Sequence, residues 1–359
     1  MKGDSMSKTV QNREELEGVL AGFGVRDAVE VAPFGSGHIN DTFKVARKGA
    51  APVILQRVNT SIFPDADAMM ENIVRVTGHI RSKGGRSLEV LGYSKPWRLF
   101  SFIEGAKTID VIEVPSQAFM AADAFARFQD ALSDLPAPRL HEILPKFHDT
   151  PNRIALLDEA AKADVKGRLA EVSKEMDFVA ARREEAGKIV NAMASGEIPE
   201  RITHNDTKIN NVMLCDEADG GPVVIDLDTT MPGSALYDFG DMVRTSTAAA
   251  AEDERDLSKV CSKKEYFEAL ARGYLKSARF LTMAEIDALA FSGKLITLTI
   301  GIRFLTDYLA GDTYFKVAAP DHNLVRCRTQ FKMVESIESQ MGEYRRIVEK
   351  TAREEGLWK

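Results

Sequence analysis

The chain has 359 residues, of which 44% are hydrophobic and 28% are charged, so it has globular composition and enough length for two lobes or domains. Its net charge of -7 argues against an electrostatic partnership with nucleic acid, which requires a basic face. The N-terminus lacks the apolar segment of a secretory signal, and no apolar run approaches the ~18 residues that span a membrane. The three cysteines form no metal or disulfide pattern. We therefore expect a cytoplasmic protein without a membrane partner.

The first part of the chain is dominated by strand patterns. Residues 13–24 predict a short amphipathic helix, and residues 29–59 predict three strands, the first two joined by a glycine-containing turn. A helix over 61–84 carries apolar residues at helical spacing and ends at a glycine. Two more strand patterns follow at 87–106. Together they predict an antiparallel sheet with one helix packed on it.

From Val114 onward the pattern becomes helical. Helices are predicted over 116–132, 165–194, 266–278 and 328–350, with a strand hairpin inserted after residue 211. A small antiparallel β-rich lobe followed by a larger, mainly helical lobe is the element order of protein-kinase-like folds. We therefore predict an α+β, two-lobed, kinase-like fold divided into residues 1–104 and 105–359.

The stretch "ITHNDTKINNVML" at 202–214 concentrates polar side chains between apolar residues. Its His204, Asp206, Lys208 and Asn211 have the spacing of a kinase catalytic loop. Phosphoryl transfer needs a carboxylate near the acceptor hydroxyl, oxygen ligands for Mg²⁺ and a cation near the phosphate. We predict that Asp206 is the base, that Lys208 neutralises charge and that Asn211 binds magnesium.

A second magnesium ligand is predicted at Asp226, where the strand after the "DEADGG" turn ends. The letters "DFG" also occur, at Asp238, Phe239 and Gly240, but this Asp lies beyond a further loop. We therefore expect Asp238 to be a buried carboxylate that accepts backbone N–H groups of the catalytic loop. The alternative is that the polar run is a solvated Asx-type turn next to an ordinary hairpin. Loop, hairpin and Asp226 in this order favour the active site.

Several long motifs extend over nearly the whole chain, namely "GSGHIN", "NTSIFPD", "WRLFSFIEG", "FHDTP", "THNDTKINN", "IDLDTTMPGS", "DFGD", "FLTDYLAGDTYF" and "HNLVRCRTQ". With them the chain resembles the aminoglycoside phosphotransferase/choline kinase superfamily and, within it, the bacterial N-acetylhexosamine 1-kinases. The resemblance implies transfer of the ATP γ-phosphate to the anomeric hydroxyl of GlcNAc or GalNAc, with the sugar, ATP and Mg²⁺ as partners and cofactors.

The resemblance also implies a sugar site. Asp206 would accept the proton of the C1 hydroxyl, and Arg303, Tyr314 and His38 match positions that contact the sugar. From the residues alone, Arg303 could instead pair with Asp307 one helical turn away, and Tyr314 could be a core residue.

The nucleotide is expected between the lobes. The turn Gly35-Ser36-Gly37 lies between two strands, where backbone N–H groups can approach phosphate. Phe102 and Ile103 match the hinge that meets adenine in the resembling kinases, so residues 1–104 are expected to bind the nucleotide.

Gln56 occupies the position of the third-strand lysine of protein kinases. The resembling sugar kinases carry glutamine here as well, so Gln56 is expected to donate to a phosphate oxygen, with Lys208 and magnesium supplying the positive charge. The alternatives are a choline, homoserine or aminoglycoside kinase of the same superfamily, and a catalytically silent pseudokinase. The sequence leaves the oligomeric state open.

Overall fold

The structure is a computed structural model that describes residues 13–35, 39–215 and 220–358. The strands are β1 (Ala28–Pro33), β2 (Asp41–Arg47), β3 (Val53–Arg57), β4 (Val90–Ser94), β5 (Trp97–Ser101), β6 (Arg201–Thr203), β7 (Val212–Met213), β8 (Val223–Val224) and β9 (Met231–Gly233). The α-helices are α1 (Arg13–Gly22), α2 (Ala66–Ser82), α3 (Pro115–Leu132), α4 (Thr150–Ala163), α5 (Ser173–Ala180), α6 (Lys188–Ala194), α7 (Ala235–Ser246), α8 (Lys264–Ser277), α9 (Met283–Leu309) and α10 (His322–Glu354).

Strands β1 to β5 form one antiparallel sheet in the order β1-β2-β3-β5-β4. Side chains alternate along the central strand β3, so Val53 and Leu55 are buried in a core that includes α1. Gln56 points to the opposite face, where it lies in register with Thr42 of β2 and Arg98 of β5. That face therefore carries polar groups toward the helical part of the molecule.

Helix α2 packs between this sheet and the helical region. The side chain of Asp65 caps the helix by accepting a hydrogen bond from the backbone N–H of Ala68 at 3.0 Å. The helix contacts α3 and β4. It buries the apolar residues that the sequence pattern placed on one face, namely Met69, Ile73, Val76 and Ile80.

Helix α9 lies at the centre of the helical region, where it packs against α4, α7 and α10. It is an exception to the expectation that no segment is long and apolar enough to cross a membrane, because its 27 residues meet both criteria. However, 83% of its most apolar window is buried inside the protein, as expected for a central core helix.

The predicted fold class is confirmed, because a small antiparallel sheet precedes a larger helical region in a protein-kinase-like arrangement. The boundary at residues 104 and 105 lies in the link between β5 and α3, and it stays a prediction. The single helix predicted over 165–194 is wrong. A 3₁₀ turn at Leu169–Val172 precedes the short helix α5, and a second 3₁₀ turn at Glu185–Gly187 separates α5 from α6. Short helices joined by such turns keep a similar apolar spacing, so periodicity does not reveal the breaks.

Candidate active site

The predicted catalytic loop runs from β6 to a 3₁₀ turn at Ile209–Asn211 and then into β7. His204 is fully buried and anchors the loop from inside. Its Nε2 lies 2.8 Å from the carbonyl oxygen of Ile225 in the segment after β8, and its Nδ1 lies 3.3 Å from the backbone nitrogen of Asp206. The histidine thus ties the loop to the neighbouring hairpin and has a structural role.

The loop brings together the three polar side chains that the sequence spacing selected. One carboxylate oxygen of Asp206, Oδ2, lies 3.0 Å from the Lys208 ammonium and accepts a 3.0 Å hydrogen bond from the Asn211 amide nitrogen. The Asp206 side chain remains 30% exposed, so a substrate can reach it. Enclosure by protein opposes the charge on Lys208, but the negative charges of Asp206, Asp241 and Asp226 outweigh it and raise the pKa of the lysine.

Asp238 holds this loop in place through hydrogen bonds to the loop backbone. It lies in the first turn of α7, and its carboxylate accepts hydrogen bonds from the backbone N–H groups of His204 at 2.8 Å and Asn205 at 2.7 Å. The Gln129 amide adds a third hydrogen bond at 2.6 Å. Burial raises the pKa of Asp238 to about 6, although these donors favour the ionised form. The expectation of a buried structural carboxylate is confirmed.

Asp226 follows the hairpin and lies near Asp206 and Lys208, whose charges act on its carboxylate. It adopts a left-handed backbone conformation with φ of 59°, which is uncommon outside glycine and occurs often at functional sites. Its side chain is reached by solvent. Enclosure between the surrounding elements, together with the negative charges of Asp228 and Asp206, raises the pKa of Asp226 to about 7.

Asp226 and Asn211 together fit a magnesium ion. Within the described ranges, no donor forms a hydrogen bond to the Asp226 carboxylate. The amide nitrogen of Asn211 donates to the carbonyl and the carboxylate of Asp206, which leaves its amide oxygen available. Among the described residues no group of three His, Cys, Asp or Glu side chains could hold a metal. One carboxylate and one amide oxygen suffice for Mg²⁺, because this ion keeps water and phosphate oxygens as its other ligands.

The expected nucleotide-binding turn is described only in part. Gly35 has a φ of 78°, which favours glycine, whereas Ser36, Gly37 and His38 lie outside the described residues. At the expected hinge, the Phe102 ring lies 4.0 Å from the Lys44 ammonium, and the Phe102 backbone N–H donates to the Pro52 carbonyl at 3.3 Å. Among the described residues, none accepts a hydrogen bond from the backbone N–H of the adjacent Ile103. The roles of these residues toward ATP stay predictions.

Gln56 is held by its neighbours in the sheet. Its amide oxygen accepts a hydrogen bond from Arg98 Nε at 3.0 Å, and its amide nitrogen donates to Thr42 Oγ1 at 2.9 Å. The Gln56 amide nitrogen has a second N–H group, so it can donate to a phosphate, as predicted, and keep its contact with Thr42.

The sequence reasoning missed a cation next to Gln56. Arg98 is only 2% exposed, and its Nη1 lies 2.6 Å from Oδ1 of Asp228, which is also buried. The contact is an ion pair in which the N–H group is not well aligned for a hydrogen bond. The other carboxylate oxygen of Asp228 accepts a 2.7 Å hydrogen bond from the Asn40 amide. The sequence motifs that contain these residues, "DLD" for Asp228 and "WRLF" for Arg98, do not predict the contact. The contact depends on how the sheet packs against the hairpin.

Arg303 and Tyr314 are neighbours, as expected for one binding surface. The Arg303 guanidinium lies 5.8 Å from the Tyr314 ring and 5.0 Å from the Phe147 ring, and its Nη2 is 3.5 Å from the Tyr314 hydroxyl. Tyr314 is 65% exposed, so the alternative of core packing is wrong. In the part of the chain that the structure describes, Arg303 forms no ion pair with a carboxylate.

The alternative pairing of Arg303 with Asp307 is also wrong. Asp307 is buried and accepts backbone hydrogen bonds from Thr313, Tyr314 and Phe315 at 2.8–3.0 Å. It therefore holds the loop after α9 in place, and this loop carries Tyr314.

A second arginine lies close to Arg303. Burial and the positive charge of Arg303 lower the pKa of Arg153 to about 10. Burial likewise lowers the pKa of Arg303, Tyr314 opposes this effect, and the positive charge of Arg244 adds to it. Because these cations repel one another, this surface attracts groups that accept hydrogen bonds or carry negative charge.

Asp241 connects this surface to the catalytic loop. Its carboxylate accepts a hydrogen bond from the backbone N–H of Thr207 at 3.0 Å and pairs with Arg244 at 2.9 Å. His148, adjacent to Phe147, lies 3.1 Å from the carbonyl oxygen of Asn205 through its Nε2. Arg303 thus lies on the same side of the molecule as the residues that support Asp206.

Comparison with known proteins agrees with this geometry. A sequence model described as "Phosphotransferase enzyme family" matches residues 30–285, more than half of the chain. An ethanolamine kinase from Plasmodium vivax has a TM-score of 0.61 and 14% identity, over 92% of this chain and 95% of that chain. The ADP-bound aminoglycoside phosphotransferase APH(2'')-Ib has a TM-score of 0.58 and 13% identity, over 91% and 99%. The choline kinase LicA from Streptococcus pneumoniae has a TM-score of 0.57 and 12% identity, over 91% and 98%. At identities this low, the solved structures establish the fold and nothing finer.

Proposed function

Because this chain belongs to the phosphotransferase enzyme family, we propose that it is an ATP-dependent N-acetylhexosamine 1-kinase. Its acceptor would be the C1 hydroxyl of GlcNAc or GalNAc, and its products the sugar 1-phosphate and ADP. Solved relatives in complex with ADP or AMP-PNP support the use of ATP. The proposal includes a cytoplasmic location, where ATP is available.

In the proposed reaction the C1 oxygen attacks the γ-phosphorus of ATP while the bond from this phosphorus to the ADP oxygen breaks. The proton of the C1 hydroxyl passes to the Asp206 carboxylate, which Lys208 and Asn211 hold in position. Lys208 also places positive charge beside the transferring group. Asn211 and Asp226 would hold Mg²⁺, which supplies charge neutralisation to the phosphates when bound.

The observation that carries the choice of acceptor is the half-buried guanidinium of Arg303, without a carboxylate partner among the described residues and beside the exposed Tyr314. A guanidinium in this setting can donate to the carbonyl oxygen of an N-acetyl group or to sugar hydroxyls, and an aromatic face can pack against a sugar ring. Together with Arg153 it would repel the cationic groups of choline, ethanolamine or an aminoglycoside. Such acceptors call for carboxylates or an aromatic cage instead.

The test is ADP release from MgATP by purified protein with GlcNAc, GalNAc, glucose, galactose, choline, homoserine and kanamycin as acceptors. We expect turnover on the N-acetylhexosamines, and we expect Asp206→Asn to lower it by roughly 10²–10⁴-fold because the general base is lost. Arg303→Met should raise KM for the sugar and leave the affinity for ATP unchanged. Exposed Arg272, which the structure places on α8, provides the matched control in Arg272→Met.

Two outcomes would replace the proposal. Turnover confined to choline, homoserine or kanamycin would keep the kinase and remove the sugar. Binding of ATP without turnover on any acceptor would identify a pseudokinase, and Gln56 in the place of lysine would then be its sequence signature.

A further inference from the structure

We propose that Arg98 and Asp228 form the interlobe ion pair that positions the sheet for nucleotide binding, in place of the lysine–glutamate pair of protein kinases. The inference rests on the proposed use of ATP and goes beyond it, because it assigns a positioning role to two residues outside the expected catalytic set. Protein kinases join a β3 lysine to a glutamate on the following helix. Here β3 carries Gln56, and the glutamate on α2, Glu71, pairs with His141 instead.

The position of Arg98 is the first support. It lies on β5 directly opposite Gln56 in the sheet, so its guanidinium is next to the place where a β3 lysine would project. Its Nε donates to Gln56, and its Nη1 lies 3.7 Å from the sulfur of Met70 on α2. A charge that is 2% exposed needs a partner, because an isolated buried cation is costly.

The position of Asp228 is the second support. It lies in the turn Leu227–Thr229, two residues beyond the proposed magnesium ligand Asp226, on the same segment that follows β8. Its two carboxylate oxygens contact two separate parts of the sheet region, namely Arg98 of β5 and Asn40 before β2. Asn40 in turn accepts a hydrogen bond from the backbone N–H of Asn59 at 3.0 Å.

These contacts give the pair a positioning function. Asp228 fixes the strands that carry Gln56 and the turn at Gly35 relative to the segment that carries Asp226. The pair thereby keeps a fixed separation between Gln56 and Gly35, which are expected to contact the phosphates, and Asp226, which is proposed to bind the magnesium ion. A buried ion pair adds little net stability compared with apolar residues, but it specifies one arrangement when both partners are satisfied.

The test compares ADP affinity, measured by calorimetry in EDTA without acceptor, with unfolding by urea. We expect Arg98→Met and Asp228→Asn each to weaken ADP binding roughly 10-fold or more, a coupling typical of residues within one ion-pair network. Arg98→Lys keeps the charge and loses the planar fork, so it should recover part of the affinity. In steady-state assays, KM for ATP should rise while KM for the acceptor stays unchanged.

A single substitution leaves one buried charge unpaired and can prevent folding, so the double variant Arg98→Met/Asp228→Asn is measured too. It contains no unpaired charge and keeps an acceptor for Asn40, so it should regain stability without regaining ADP affinity. The matched control is Lys294→Met, which removes the ion pairs of buried Lys294 on α9 with Glu338 on α10 and with Glu185, all inside the helical region. It should lower stability and leave ADP affinity unchanged.

The outcomes separate this inference from the proposed function. If ADP affinity returned together with stability in the double variant, or fell equally in Lys294→Met, the pair would be structural only and the inference would be overturned. If the wild-type protein bound neither ADP nor ATP, the proposed use of ATP would fail first.

Discussion

Asp226 and Asp238 both lie next to the catalytic loop, but their carboxylates have different surroundings. Asp238 is buried and accepts three hydrogen bonds, two of them from the backbone of the loop. Asp226 is exposed and, in the ranges that the structure covers, receives no hydrogen bond. A carboxylate whose oxygens accept no hydrogen bonds can bind a metal ion. A carboxylate whose oxygens already accept backbone N–H groups instead stabilises the loop that carries those groups.

This contrast predicts opposite effects of one substitution. Asp238→Asn should lower the free energy of unfolding by about 3 kcal/mol or more, because an amide cannot accept all three hydrogen bonds and its own N–H groups would face donors. Asp226→Asn should leave this free energy unchanged or raise it, because the substitution removes a negative charge that Asp228 and Asp206 disfavour and asparagine tolerates the left-handed conformation. Urea denaturation measures both values.

The same variants separate the catalytic roles. Asp226→Asn should abolish Mg²⁺-dependent turnover in fully folded protein. Loss of turnover confined to folded Asp238→Asn, with Asp226→Asn active, would reverse the assignment of the metal ligand.

Local residue contacts were predictable from the sequence, and distant ones were not. Asp206, Lys208 and Asn211 lie within six residues, so their spacing on one loop already brings them together. The contact between Arg98 and Asp228 depends on sheet register and on the packing of the sheet against the hairpin. Neither is encoded in a short motif, which is why the sequence left Gln56 without a neighbouring cation.

At the scale of elements, periodicity identified helices with one buried face. Helix α2 was predicted because its apolar residues lie on one side, and α10 because a long periodic pattern runs through it. Helix α9 gave a weaker signal within the helical pattern of the C-terminal part, since it is buried on nearly all sides and apolar residues occur all around it. Its end nevertheless supplies Arg303 and the anchor for the loop of Tyr314.

That anchor leads to a prediction about the loop. Asp307→Asn should loosen residues 313–315, because an amide replaces the charged acceptor of three backbone hydrogen bonds. We expect KM for the sugar to rise roughly 10-fold, with KM for ATP unchanged and stability lower by about 2 kcal/mol. Steady-state kinetics with each substrate varied in turn, together with urea denaturation, measure these effects. Equal rises of both KM values would show that Asp307 supports the whole cleft.

At the scale of the whole molecule, buried titratable groups couple stability to pH. Burial lowers the pKa of His148 to about 4. The negative charge of Asp241 acts to raise this pKa, whereas the positive charges of Arg303 and Arg153 lower it further. The folded-state pKa is thus below the unfolded value of 6.5, so the stability contributed by neutral His148 is present above pH 6.5. It is lost as the pH falls from 6.5 toward 4, because only the unfolded chain binds the proton.

We therefore expect the unfolding free energy of wild type to lose about 2 kcal/mol between pH 7 and pH 5 through this residue. Asp238 acts in the opposite sense over part of this range, because its pKa is raised and acidification favours its protonated folded form. His148→Gln keeps a donor for the Asn205 carbonyl and does not titrate, so the wild type minus variant difference isolates the histidine. Parallel pH profiles of the two proteins would contradict the prediction.

Two residues of the proposed acceptor surface and the buried residues that support them occupy a short part of the chain. Arg303 and Tyr314 would contact the acceptor, whereas buried Asp307 holds the loop of Tyr314 and buried Asn323 donates to Asp307 and Asp312. All four lie between the last turns of α9 and the first turn of α10. The proposed ATP-binding residues lie in the sheet and in the hairpin. We therefore expect the choice of acceptor to change when residues 303–323 are exchanged. A chimera that carries this segment from a kinase of another alcohol should phosphorylate the acceptor of that kinase and still use the nucleotide of this protein.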